Sequence, residues 1–183
     1  MKKYPHVIEN GAGEQLTFLR LVSDPSGERL EGHNLVQPGA GAPMHIHHMQ
    51  EETFTVQQGK LGYQLLDQEP QYATVGETVV FAPGQAHRFW NAGEEELSCT
   101  AYVKPADNVE YLLTALFDSQ KQNGGKRPDI FDAAYLMKRY SSEYKMVEIP
   151  DFVQRFIFPV LVTIGRLLRK YEKYADAPEP IRR

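Results

Sequence analysis

His45, His47 and Glu52 fall within the stretch HIHHMQEE, and a further histidine, His87, follows on a separate segment. Three imidazoles and one carboxylate form a donor set of borderline hardness, able to hold iron, manganese, nickel, cobalt or zinc. Four protein ligands leave an octahedral ion with open positions, the condition for a reactive rather than a structural site. The same residues also read as a histidine-rich surface loop with an unrelated core histidine at 87. What separates the two readings is the kind of element that carries each residue.

Residues two apart in a strand share a face, so PMHIHH read as a strand points His45 and His47 the same way. His48 then points to the opposite side. Glu52 comes far enough on for the chain to turn and send a carboxylate back, and Glu51 takes its place if the register differs by one. The Pro83-Gly84 turn delivers His87 on a later strand. From about residue 15 to 104 the chain reads as short strands: QLTFLRLVS, RLEGHNLVQ, TFTVQQG, KLGYQLLD, ETVVFAPG, HRFWNAG and ELSCTAYVKP. Gly, Pro or Asn stands at the breaks, a pattern that points to a sandwich or barrel. After Pro105 the period lengthens to that of a helix. DNVEYLLTALFDSQ places Val109, Leu112, Leu113, Leu116 and Phe117 on one face, with Asp107 as N-cap. DIFDAAYLMKRY is a second helix, and a third begins near Pro150, runs to about Tyr174 and is kinked or restarted at Pro159. The expected division is a β domain over 1–104 and a helical extension over 105–183, packed on the barrel or on a dimer partner.

Two spaced motifs carry a family resemblance. Gly39, His45, His47, Glu52 and Gly59 fall at the spacing of the first cupin motif; Gly76, Pro83, Gly84, His87 and Asn91 fall at that of the second. Ala82 stands where the second motif usually has proline, which bears on turn rigidity and leaves the ligands intact. The pattern resembles the cupin superfamily, and the stretch through KPADNVEYLLTALF is similar to small bacterial cupins grouped with quercetin 2,3-dioxygenases. The resemblance implies a mainly β fold, a jelly-roll barrel followed by C-terminal α-helices. Inside it, one divalent transition metal ion is bound by His45, His47, Glu52 and His87. It further implies a metal-dependent dioxygenase acting on a small enol, catechol or flavonol-like substrate, with Glu52 doubling as catalytic base, and a homodimer. A non-catalytic metal or small-molecule binding protein, or a redox-neutral metalloenzyme such as an isomerase, are the other readings.

Alternation from Glu52 sends Phe54 and Val56 inward, and from His87 it sends Phe89 inward. Tyr63 and His33 are candidates for polar groups in the same pocket, and Trp90 faces outward. The third helix combines apolar Val153, Phe156, Ile157, Val160, Leu161, Ile164, Leu167, Leu168 and Tyr171 with Arg155, Arg166, Arg169, Lys170 and Lys173. Packing on the barrel or a second subunit is the preferred reading over contact with an anionic membrane. The chain has 183 residues and a net charge of -4, which argues against nucleic-acid binding. Residues 152–183 hold seven Lys/Arg against three Asp/Glu, so the acidic excess lies earlier in the chain. A single cysteine, Cys99, and the lack of an apolar run after MKK fit a cytoplasmic protein.

Overall fold

The computed structural model of the protein describes residues 3–25 and 27–181. Ten strands come first: β1 (His6–Glu9), β2 (Glu14–Asp24), β3 (Gly27–Val36), β4 (Gly41–His47), β5 (Glu51–Gln58), β6 (Leu61–Leu65), β7 (Gln71–Ala73), β8 (Thr78–Phe81), β9 (His87–Asn91) and β10 (Leu97–Lys104). Helices α1 (Val109–Gln122) and α2 (Ile130–Arg139) follow, then strand β11 (Tyr144–Met146) and helix α3 (Phe158–Leu167). The strands form two antiparallel sheets of order β1-β2-β3-β10-β5-β8 and β11-β4-β9-β6-β7. The fold is thus mainly β, a jelly roll followed by C-terminal helices.

The core lies between the sheets because each strand turns its apolar positions to the same side. Val36, Phe54, Val56 and Phe81 from the first sheet meet Leu61 and Phe89 from the second. Close backbone approach fixes the second sheet. A Cβ on Gly62 would lie 2.3 Å from the Trp90 ring, and one on Gly41 would lie 2.2 Å from the Phe89 carbonyl oxygen. Trp90 is half-buried over that glycine, on the face of β9 opposite His87 and Phe89.

The helical region differs in detail from the expectation. The N-cap position of α1 is Asn108, not Asp107, because Asp107 accepts a hydrogen bond from Gln50 Nε2 at 3.2 Å and sits at φ 40°. Asp129 caps α2 by side-chain acceptance from the N–H groups of Phe131 and Asp132. Strand β11, inside the segment read as helical, pairs with β4, so a boundary at 104 does not separate strands from helices.

The third helix is restarted at Pro159. Pro159 has no N–H to give the Arg155 carbonyl, and a π-helical turn, Val153–Ile157, precedes α3, with Phe158 N–H bonded to the Val153 oxygen. Helix α3 ends at Leu167, short of Tyr174. Its buried residues are Phe158, Val162 and Gly165, and the first two pack in one cluster with Met137 and Tyr140 of the α2 region. Much of the face expected from periodicity is therefore outside: Phe156, Ile157, Val160, Ile164, Leu167 and Leu168 are exposed. Arg155, Arg166, Arg169 and Lys170 are exposed along the same segment, while Arg182 and Arg183 of the basic excess lie outside the described residues. Among the described residues no helix is long and apolar enough to cross a membrane.

Candidate metal centre

His45 and His87 stand opposite each other in the β4–β9 pairing, and Glu52 reaches them from β5 of the facing sheet. The four side chains of His45, His47, Glu52 and His87 are buried, and one ligand atom from each lies within 4.8 Å of all the others. Glu52 Oε2 is 2.8 Å from His87 Nε2 and 3.8 Å from both His45 Nε2 and His47 Nε2. Ligands about 2.1 Å from a shared ion sit roughly 3–3.5 Å apart at octahedral or tetrahedral angles, within the observed range.

Hydrogen bonds on the far ring nitrogens settle which atoms face inward. His45 Nδ1 lies 2.8 Å from the Pro43 carbonyl and His87 Nδ1 2.9 Å from the Gln85 carbonyl. A carbonyl accepts only, so each Nδ1 carries a proton, and in the neutral ring that tautomer turns the Nε2 lone pair to the centre. In His87 that lone pair faces a carboxylate oxygen at hydrogen-bond distance, a repulsive arrangement unless a cation or a proton lies between them. The donor set, its burial and its inward lone pairs fit a divalent ion.

Electrostatics agree with that reading. Burial holds His47 neutral, with its pKa pushed down to about 3 against the pull of Glu52. Burial opposes the charge on Glu52, but the histidines facing it overcome that cost and hold its carboxyl well below the usual range. A neutral His47 imidazole beside an ionised carboxylate is the pairing that binds metal.

Aromatic rings fix the imidazoles. Phe81 stacks on His87 at 3.9 Å with an interplanar angle of 6°. Tyr144 of β11 stacks on His45 at 5.3 Å and meets His47 edge-on at 5.2 Å. Tyr144 had no signal in the sequence, because a three-residue edge strand carries too little alternation to be seen.

The cluster opens into a cavity of about 1200 Å³, reached by His45, His47 and Glu52 and lined mostly by apolar groups. Helices α1 and α2 roof it with Val109, Leu113, Phe117, Ala133 and Met137. Of the expected pocket residues, Phe54 and Phe89 line this cavity. Val56 lies in the apolar core instead, and Tyr63 packs against it with its hydroxyl donated to Gln71. His33 is a correction: it points away from the cavity and bonds Ser98 Oγ at 2.9 Å, because Leu30, Asn34 and Val36 take the inward positions of β3. His48 is exposed, and Glu51 accepts from the Tyr102 hydroxyl at 2.8 Å, away from the histidines. Sequence reasoning missed Glu14 and Asn34, two buried polar residues on the cavity wall.

Residues 32–103 match the family model of the cupin domain. Over 80 residues it is 35% identical to Oxidoreductase iacF of Pestalotiopsis fici, a match covering 42% of this chain and 39% of the relative. The chain thus spans about two fifths of that relative's length. Among solved structures it is similar to KdgF from Halomonas sp., with TM-score 0.48, 16% identity, and coverage of 57% of this chain and 92% of that one. It is also similar to the polyketide cyclase RemF from Streptomyces resistomycificus, with TM-score 0.46, 21% identity, and coverage of 56% and 78%.

Proposed function

We propose that the protein is a metal-dependent dioxygenase acting on a small enol, catechol or flavonol-like substrate, of the kind grouped with quercetin 2,3-dioxygenases. The observation that carries this reading is the buried cluster of three histidines and one glutamate opening into a roomy, largely apolar cavity. The likeness of its cupin region to an oxidoreductase supports it. A bound iron, nickel, cobalt, manganese or zinc ion supplies Lewis acidity toward a substrate oxygen. The protein's own part is to hold the three Nε2 atoms and the carboxylate in place and to exclude water. Phe54 and Phe89 hold the flat face of the substrate, and Glu52 accepts the proton of its hydroxyl. Dioxygen is the oxidant, and both its atoms end in the product, so no further reductant is required.

Oxygen uptake by the metal-loaded protein tests the reading, with catechols, enediols and flavonols as substrates. Uptake matched to substrate loss supports it. Conversion at equal rate without dioxygen refutes it in favour of isomerisation, and saturable binding without turnover refutes it in favour of a binding protein. The proposed assembly is a homodimer through the exposed apolar stripe of α3. Salt screens the cations beside that stripe, so sedimentation should show a dimer that strengthens with salt, and a monomer throughout would refute it.

A further inference from the structure

Glu14 is a buried carboxylate that the metal centre does not use. It is 8% exposed, and Asn34, beside it, is 2% exposed. Asn34 Nδ2 donates to Glu14 Oε1 at 3.0 Å, and Asn10 Nδ2 approaches Oε2 at 3.5 Å. Among the described residues no Lys, Arg or His forms an ion pair with Glu14. Burial is the main cause that pushes its carboxyl up to about 7, with the Asn34 bond opposing and the charge of Glu52 adding. An uncompensated buried carboxylate costs stability, so the fold alone gives little reason for it.

The second observation is independent. Asn34 Oδ1 is buried and has no hydrogen-bond partner. Glu14 and Asn34 both line the cavity that holds His45, His47 and Glu52. The wall between the two polar ends is apolar. The register runs Leu30–Val103–Glu52 on one rung, Phe18–Gly32–Ala101–Phe54 on the next, and Leu16–Asn34–Cys99–Val56 beyond it. Asn34 is thus four residues along β3 from the rung of Glu52, about 13 Å at strand rise. One aromatic ring is too short to reach both ends, whereas two linked rings suit the span.

We propose that Glu14 and Asn34 form a hydroxyl-binding subsite at the far end of the cavity, selecting substrates with two linked rings and a distal hydroxyl. Two acceptors side by side, the Glu14 carboxylate and Asn34 Oδ1, call for a hydrogen-bond donor. Arg88, Lys126 and Arg127, exposed on the same cavity's rim, disfavour a cationic amine and leave a hydroxyl. The subsite deepens the proposed function, since it assumes that the other end of the substrate faces the metal ligands.

The test compares two probes that differ in one group, para-phenylcatechol and para-(hydroxyphenyl)catechol, the second bearing a hydroxyl on its outer ring. Their binding to the full-length, zinc-loaded protein is measured by calorimetry in the absence of dioxygen, the oxidant the reaction requires, so that no oxidative turnover occurs. At pH 8.5, where Glu14 is ionised, one hydrogen bond to a charged acceptor predicts that the hydroxylated probe binds at least about tenfold tighter. Glu14→Leu and Asn34→Leu should reduce that ratio to about threefold or less, the ratio being read within each variant so that any common change in affinity for the two probes cancels. Glu14→Gln, which keeps an acceptor and the shape of the side chain, should retain part of the preference and serves if the leucine variants fail to fold. Equal affinities in the wild type, no binding of either probe, or a ratio that survives in Glu14→Leu or is unchanged in every folded variant would overturn the subsite. Failure of the metal reading is separable: a protein that takes up no zinc yet keeps the ratio refutes the metal centre and leaves the subsite standing.

Discussion

Replacing Glu14 by glutamine should stabilise the metal-free protein at high pH and do nothing at low pH. A carboxyl whose pKa is moved from 4.5 up to about 7 in the folded state is penalised on ionising there. The sign follows from linkage: between those two values the folded state binds more protons than the unfolded state, so stability falls as pH rises through the window. Above about pH 7 the full penalty is present, roughly 3 kcal/mol. Glutamine is neutral throughout and avoids it. For a chain of this size that difference corresponds to roughly 6–12 °C in thermal midpoint. Thermal unfolding in the presence of chelator, followed by circular dichroism, reads the effect directly. The variant should melt higher than wild type at pH 8.5 and level with it at pH 4.5. A midpoint difference independent of pH, or a variant that melts lower at pH 8.5, would refute the claim that Glu14 is a buried carboxylate without a compensating charge.

Gly62→Ala places a methyl group into the Trp90 ring and should cost about 1–3 kcal/mol by denaturant titration, as overpacking does. Tyr144→Ala removes the ring that braces His45 and His47, and metal competition should show affinity lower by about 10–100-fold, as for other outer partners of metal ligands. Deleting residues 152–183 strips Phe158, Val162 and Tyr174 from their cluster and bares Met137 and Tyr140; size-exclusion chromatography should show an aggregated or destabilised product. A stable, monodisperse product would refute the view that α3 is an integral layer of the fold.

The clustering of the four candidate metal ligands was legible in the sequence because strand geometry constrains them tightly. His45 and His47 differ by the strand period, and the turn at Pro83-Gly84 places His87 opposite His45. The long strands were legible for the same reason. The opposite face of the cavity was not. In RLEGHNLV the apolar positions are Leu30, Leu35 and Val36, so the pattern fits either parity, and glycine at 32 hides the choice. His33 was therefore placed inward when Asn34 is the inward residue. Glu14, at the start of a strand, reads as a surface charge because burial of a polar side chain leaves no mark on hydrophobic periodicity. Helix α3 is apolar on two sides, and periodicity alone cannot say which side is buried. The structure decides it through the Pro159 restart and the close seat of Gly165 against Tyr171.

The central claim is that His45, His47, Glu52 and His87 hold a metal ion. It is tested most directly by elemental analysis of protein purified without an affinity tag, wild type beside His45→Ala and His87→Ala. The account predicts about one divalent transition metal ion per wild-type chain and little or none in either variant. Stoichiometric metal in both variants, or a wild-type protein that holds none and takes up none when it is supplied, would contradict it.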